Sequence, residues 1–329
     1  MKEIKLGTVG SGVIVHTILD QVQRTDGISP EAVCSRKAET GRALAASYGC
    51  RKVYPSLDAL LQDDDVNTVY IATPNLLHVP QAKQALLAGK HVILEKPFST
   101  NDADAKTLAA LAKQRHLLLA EAVPTPHLPN LRLLQDLLPQ IGKVQRVVSD
   151  YSQYSARYDR LLQGELPNIF NPQLGGGCLM DLNFYNAYLN VFLFGMPDAV
   201  SYDPVLYPGA ADTSGVLRLQ YGDFLSENAA AKDRSGQSFF RIEGADGIIE
   251  IDNGANGLQS LRLWGNGKTQ TFNAQGQENR WLFEVRALTR LFLAEDFDTV
   301  YALLIPTLQT CAVLERARKD AGLVFPGDD

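Results

Sequence analysis

Short apolar runs alternate with helical patterns over the first third of the chain. IKLGTVG (4–10), EAVCS (31–35), TVYIAT (68–73), HVILE (91–95) and LLLAEA (117–122) read as strands. Between them, residues 13–24 carry Ile14, Ile18, Leu19 and Val22 on one helical side. AETGRALAASYG (38–49) and HVPQAKQALLAG (78–89) stop at Gly49 and Gly89, and NDADAKTLAALAKQ (101–114) opens on Asn101 as a cap. Strand–helix alternation predicts βαβ units wound right-handed into a parallel sheet.

Beyond residue 123 the pattern changes. A helix over 130–138 leads to a long strand, KVQRVVSDYSQYS (143–155), then a loop, then a helix over roughly 177–194 closed by Gly195. Strand-like segments follow at 199–207, 215–221, 223–231, 238–243, 247–252, 259–264 and 269–273, with GADG (244–247) as a hairpin turn. Two helices end the chain, one over 280–294 and one after Asp298. Consecutive strands on short turns predict a mostly antiparallel sheet. The fold class expected is α/β: a Rossmann parallel sheet over residues 1–122, then an α/β domain over 123–329 with a large open sheet, the last helices able to pack back on the first domain.

Composition narrows the function without naming it. The 329 residues are 45% hydrophobic and 21% charged, with a net charge of −6 and no block of lysine or arginine, so neither nucleic acid nor an anionic membrane is expected as partner. KEIKLGTVG reads as a strand from the start rather than as a leader peptide, and no apolar run looks long enough to span a bilayer. Cys34, Cys50, Cys178 and Cys311 are scattered without C-x-x-C spacing, as expected of reduced thiols in a cytoplasmic protein. No metal site is assigned.

Gly10 and Gly12, in GTVGSGVIV, stand between the first strand and the first helix, where a dinucleotide pyrophosphate meets helix N–H groups; Ser11, Val13 and Ile14 complete that turn. The full fingerprint wants a small residue where this chain has Val15. At the end of the second strand an acidic residue would select NAD. The sequence has Ser35, Arg36 and Lys37 instead, a hydroxyl and two cations that favour a 2′-phosphate, so NADP is expected, with NAD the alternative. Ala72, Thr73, Pro74, Asn75 and His78 follow the next strand as a wall for the nicotinamide riboside or as an ordinary helix start.

The strand HVILE ends in Glu95-Lys96-Pro97. Ligands of open parallel sheets bind beyond the carboxyl ends of the strands, so Lys96 is placed at the cofactor's rim, with Glu95 beside it and Pro97 restricting the chain's exit. In LGGGCLMDLNFYNAYLNVFLFG (174–195), Asp181 and Tyr185 are four apart, one turn along the same helix face. Alone, they also read as a cap and a packing residue.

In combination, EKP (95–97), GKH (89–91), ATPN (72–75) and GGG-x-x-x-D-x-x-x-Y (175–185) resemble the Gfo/Idh/MocA oxidoreductases along essentially the whole chain. The resemblance implies an NAD(P)-binding Rossmann domain and a C-terminal domain whose large sheet makes homodimer or homotetramer contacts. It implies catalytic roles for Lys96, Asp181 and Tyr185, and a Lys96–Pro97 bond that is often cis. The chain departs from the family pattern at Asn183, usually glycine, and at Pro124 and Pro126 in EAVPTPHLP, changes expected to alter the substrate pocket; Tyr151, Tyr154, Arg157 and Tyr158 are candidates to line it.

The expected activity is hydride transfer between NADP and a hydroxyl or carbonyl carbon of a sugar, polyol or related small molecule. Tyr185 would move the oxygen-bound proton. A free tyrosine titrates near about 10, and a lysine beside it favours the phenolate. Two other readings are a cofactor-binding sensor without turnover and a reductase of a non-sugar substrate.

Overall fold

The computed structural model describes residues 1–265 and 267–328. The chain divides into two compact units: residues 1–99, 103–124 and 279–305 form the first, and residues 100–102, 125–278 and 306–329 the second.

The first unit is built on six parallel strands: β1 (Ile4–Val9), β2 (Ile28–Cys34), β3 (Lys52–Tyr54), β4 (Thr68–Ile71), β5 (His91–Glu95) and β6 (Leu119–Ala122). Their order is β3-β2-β1-β4-β5-β6 and every pairing is parallel, the doubly wound arrangement. The central strands are buried on both faces, which is why they read as continuous apolar runs and not as alternating ones. Short β3 and the helical turn α3 (Leu57–Leu61) escaped the pattern analysis, since three and five residues are too few to show a period. Helix α1 (Val13–Val22) buries Val15, Ile18, Leu19 and Val22. α2 (Ala38–Tyr48) stops at Gly49 in a left-handed conformation, φ 72°, as its terminal glycine predicts. α4 (His78–Leu87) and α5 (Asp102–Arg115) complete the alternation. Far along the chain, α10 (Arg280–Leu293) brings Val285, Leu288, Leu291 and Phe292 into the same core as Leu6, Ile18, Tyr70 and Ile93.

The second unit carries an eight-stranded sheet. Its strands are β7 (Val144–Ser152), β8 (Ala199–Leu206), β9 (Asp212–Tyr221), β10 (Phe224–Ala231), β11 (Phe239–Gly244), β12 (Gly247–Asp252), β13 (Leu261–Gly265) and β14 (Lys268–Phe272), in the order β14-β13-β12-β11-β7-β10-β9-β8. All neighbours are antiparallel except β7 and β10. The 244–247 hairpin forms as expected, pairing Glu243 with Ile248. The loop expected after β7 contains a helix, α7 (Ala156–Leu162), capped by the Ser155 hydroxyl on the Arg157 N–H. α6 (Pro129–Leu137) and α8 (Phe184–Phe194) also belong to this unit, with α9 (Gly254–Gly257) as a single turn between β12 and β13. One sheet face holds a ladder of ion pairs, Arg146–Glu227 at 2.9 Å and Arg262 to Glu250 and Asp252 at 2.8 and 2.6 Å.

Helix α11 (Phe297–Asp320) corrects one expectation. With 24 residues and a window of mean hydropathy 1.4, it is long and apolar enough to cross a membrane by length and composition. Its apolar side is used within the protein, however: Val300, Leu304, Val313, Leu314 and Ala317 are buried, and so is Arg318, which pairs with Asp328 and donates to the Thr100 carbonyl at 3.0 Å. A buried helix of a folded domain passes the same test, so length alone decides nothing.

Candidate active site

In the first unit, the strand order reverses between β1 and β4, and the residues leaving those strands lie together. Gly10 follows β1 with φ at 116°, and a Cβ there would stand 2.4 Å from the Ala72 carbonyl oxygen, so only glycine fits. Its N–H donates to Cys34 at 3.1 Å, and the Ala72 N–H donates to Val9 at 2.9 Å, which locks the loops after β1, β2 and β4 side by side. Gly12 occupies the N-cap of α1 without a side-chain cap, and nothing lies within 4 Å of where its Cβ would be. Ser11 is half-buried, Val13 is 73% exposed and Ile14 packs partly against the core. Val15, the departure from the fingerprint, is fully buried among apolar neighbours. An open helix N-terminus behind a turn with glycine at two of its three positions suits a pyrophosphate.

At the end of β2, the Ser35 hydroxyl is spent locally, donating to the Lys37 carbonyl at 3.1 Å, and Ser35 is buried. Arg36 and Lys37 are both exposed. After β4, Thr73 donates to Gln81 at 2.7 Å, and Pro74 and Asn75 are half-buried. His78 is not on the surface of this loop: it is buried beneath it, with Nδ1 2.8 Å from the Pro97 carbonyl and Nε2 2.8 Å from the Thr73 carbonyl. Burial pushes its pKa down, and the charge of Lys96 adds to that against the two backbone hydrogen bonds.

The turn that carries Lys96 is gripped at three successive residues. The Lys96 N–H donates to Glu95 Oε2 at 3.2 Å, the Pro97 carbonyl faces His78, and the Phe98 N–H donates to Glu121 at 2.9 Å. The other oxygen of Glu95 accepts from the Tyr70 hydroxyl at 2.6 Å. Glu95 is therefore a buried brace for the turn, and the Lys96–Pro97 bond is cis. Glu121 and Glu284 are buried in the same unit; burial drives Glu284 well above the usual carboxyl range, with Glu95 pushing the same way and Arg280 opposing. The Glu121 brace was not legible in the sequence, where Glu121 looks like an ordinary polar position in a strand.

In the second unit, Asp181 lies in a π-helical turn (Leu179–Asn183) that runs directly into α8, and Tyr185 lies at the start of α8. The turn is held at its start by Asp212, whose Oδ2 accepts from the Leu179 N–H at 2.7 Å and from the Tyr202 hydroxyl at 2.6 Å. Gly177, at φ 133°, leaves room for that carboxylate: a Cβ there would stand 2.1 Å from Asp212 Oδ1. Burial raises the Asp212 pKa, against the Tyr202 and Leu179 hydrogen bonds. Asp181 pairs with Lys232, a buried residue just past β10. Tyr185 is 6% exposed, its ring edge-on to Tyr151 at 5.8 Å and to Phe184 at 5.4 Å. Of the other residues expected near the pocket, Tyr151 thus meets Tyr185, whereas Tyr154 bonds Asp159 at 2.6 Å and Tyr158 packs on Phe170.

Asn183 faces the sheet and not a pocket. It is fully buried and donates to the Asn228 carbonyl at 3.0 Å, joining Asn186, Asn190, Asn228 and Ser149 in one polar network beneath α8. Pattern reading missed Lys232, Asp212 and Asn228. The one available signal was the charged KDR that abruptly ends the alanine run of β10.

Two family models match the chain: "Oxidoreductase family, NAD-binding Rossmann fold" over residues 4–122, and the "GFO/IDH/MocA C-terminal domain" over residues 139–269. The scyllo-inositol 2-dehydrogenase (NADP(+)) IolU of Bacillus subtilis is 30% identical over 325 residues, covering 99% of each chain. The chain belongs to the Gfo/Idh/MocA oxidoreductase family. Like the dehydrogenases and reductases of that family it resembles, it is an NAD(P)-dependent oxidoreductase. The fold agrees with two solved structures. The 3-ketoreductase KijD10 of Actinomadura kijaniata, in complex with NADP and TDP-benzene, superposes with a TM-score of 0.85 at 21% identity, covering 97% of this chain and 98% of that one. Levoglucosan dehydrogenase, in complex with NADH and levoglucosan, superposes with a TM-score of 0.84 at 16% identity, covering 97% of both.

Proposed function

We propose that this family member is an NADP-preferring dehydrogenase acting reversibly on a secondary hydroxyl of a polyol or sugar. The observation that carries the reading is that each unit holds a prepared element: in the first a Lys96 turn braced at three successive residues, and in the second an Asp181–Tyr185 segment whose approach, middle and carboxylate are each anchored. Gly10, Ser11, Gly12, Val13 and Ile14 would receive the pyrophosphate, and Arg36 and Lys37 a 2′-phosphate. Ala72, Thr73, Pro74 and Asn75 would border the nicotinamide riboside. When bound, the dinucleotide supplies the hydride acceptor or donor.

The chain's own residues then handle the oxygen and its proton. Tyr185 takes the proton from the substrate hydroxyl during oxidation and returns it during reduction. Lys96 offers a cation that stabilises negative charge on the reacting oxygen. Asp181 accepts a hydrogen bond from a second substrate hydroxyl, which orients the sugar ring or polyol. The NADP(+) specificity in the name of IolU and the NADP in the KijD10 complex support the cofactor preference. We also infer a cytoplasmic enzyme assembled as a homodimer or homotetramer through the open sheet; light scattering of the purified protein measures that directly.

The deciding assay offers NADP and NAD with a panel of inositols, aldoses and other polyols, and NADPH with the matching ketones. Lys96→Ala and Tyr185→Phe should each lower kcat by roughly 10²- to 10⁴-fold, with NADPH affinity held within a few-fold. Wild-type turnover in both variants would refute the assignment.

A further inference from the structure

Besides Arg318, Lys232 is the one buried cation among the described residues of the second unit. Its side chain is 5% exposed, whereas Asp181, its ion-pair partner, is 35% exposed. A surface ion pair exposes both partners and contributes little. Here the ammonium is turned inward and the carboxylate outward. Taking an ammonium out of water costs several kcal/mol unless it is paired, and an apolar residue would fill the same place at the end of an alanine run without that cost.

Both partners rest on rigid supports. The Lys232 N–H donates to Thr213 at 2.8 Å and its carbonyl accepts from Ser155 at 2.9 Å, so the backbone under the lysine belongs to the sheet. Asp181 sits between the Leu179 N–H, held by Asp212, and Asn183, held by Asn228. The neighbouring acids do not compete strongly for the ammonium. Asp212 Oδ2 is engaged by the Leu179 N–H and the Tyr202 hydroxyl at 2.7 and 2.6 Å, and Asp233 is occupied by the hydroxyls of Thr213 and Ser214 at 2.9 and 2.8 Å and by Arg234 at 3.1 Å.

We propose that Lys232 is the positioning residue of the site: it holds Asp181 as an outward-facing carboxylate, and so restricts the substrate to one that presents a hydrogen-bond donor, a hydroxyl, beside the reacting carbon. The proposal rests on the reading of Asp181 as a substrate-binding residue. Lys232 does not touch the substrate. It acts through the orientation and charge of its partner, because a carboxylate accepts hydrogen bonds only.

The test is a double-mutant cycle on kcat, KM and NADPH affinity with the best polyol, using Asp181→Asn, Lys232→Met and the double variant, beside thermal melts. The expected result is that Lys232→Met and Asp181→Asn each raise KM about tenfold or more, leave NADPH affinity unchanged, and show no further loss when combined. A deoxy analogue lacking the neighbouring hydroxyl should bind wild type poorly and discriminate little in either variant. If Asp181→Asn behaves as wild type, the reading of Asp181 falls. If Asp181→Asn is impaired and Lys232→Met is not, or if the two losses multiply, the role of Lys232 falls while that of Asp181 stands. Should Asp181→Asn fail to fold, because it leaves the Lys232 ammonium buried without its partner, the double variant, which buries no lone charge, decides: kinetics matching Lys232→Met support the proposal, and a further tenfold loss overturns it.

Discussion

The imidazole of His78 lies between two backbone carbonyls, 2.8 Å from that of Pro97 and 2.8 Å from that of Thr73. One side chain therefore fastens the turn after β5, which carries Lys96, to the loop after β4. His78→Ala removes both ties at once. Displacements of about 1 Å can cost roughly 10²-fold in rate, so kcat should fall by about that factor while NADPH affinity changes much less. Steady-state kinetics beside a fluorescence titration with NADPH check this, and unchanged kcat would show that the turn holds itself.

Arg36 and Lys37 are exposed at the end of β2, with no carboxylate in the Ser35–Lys37 stretch. Replacing both by alanine should raise KM for NADP by about tenfold or more, since charge-assisted hydrogen bonds to phosphate contribute about 1.5–3 kcal/mol each. KM for NAD should stay the same. Equal effects on the two cofactors would place the 2′-phosphate elsewhere.

Glu284 is 2% exposed and its pKa is raised chiefly by burial. The folded protein thus keeps a proton that the unfolded chain releases above the ordinary carboxyl range, so its contribution to stability is lost as pH rises from there towards the folded value. Glu284→Gln keeps the shape and removes the titration. Its advantage over wild type should be small near pH 5 and widen with pH, with a slope of up to about 1.4 kcal/mol per pH unit. Urea unfolding at several pH values measures the slope, and a gap that stays flat or narrows contradicts the assignment.

Asn228 joins the sheet to the helix that carries Tyr185. Its carbonyl oxygen Oδ1 accepts from Ser149 at 2.7 Å and Asn190 at 2.9 Å, and its Nδ2 donates to Leu217 at 3.2 Å and Ser226 at 2.9 Å. Asn228→Ala would strand these buried groups at a cost of about 3 kcal/mol, seen as a lower urea midpoint with an unchanged m-value. A loss under about 0.5 kcal/mol, the surface-substitution range, would mean that water replaces the amide.

Local chemistry was enough to read five of the first sheet's six strands: continuous apolar runs for strands buried on both faces, Gly49 and Gly89 as helix stops, and Gly10 at a turn where a side chain cannot fit. The same holds for the mostly antiparallel second sheet and its 244–247 hairpin. These features depend on residues close in sequence, whose spacing mirrors the period of the element they build. The supports of the candidate site depend on residues far apart. His78 reaches Pro97 across 19 positions, Asp212 holds Leu179 across 33, and Lys232 meets Asp181 across 51. No periodicity records such meetings, because strand order and helix docking create them. Asn183 shows the difference most plainly: in the sequence it is a departure from a motif near the substrate, and in the folded protein its amide is a fully buried donor to the sheet. The sequence by itself determined which residues are candidates for the chemistry; only tertiary packing decided which of them are braced, paired or turned away, since a buried polar group must find its partner wherever the fold brings one.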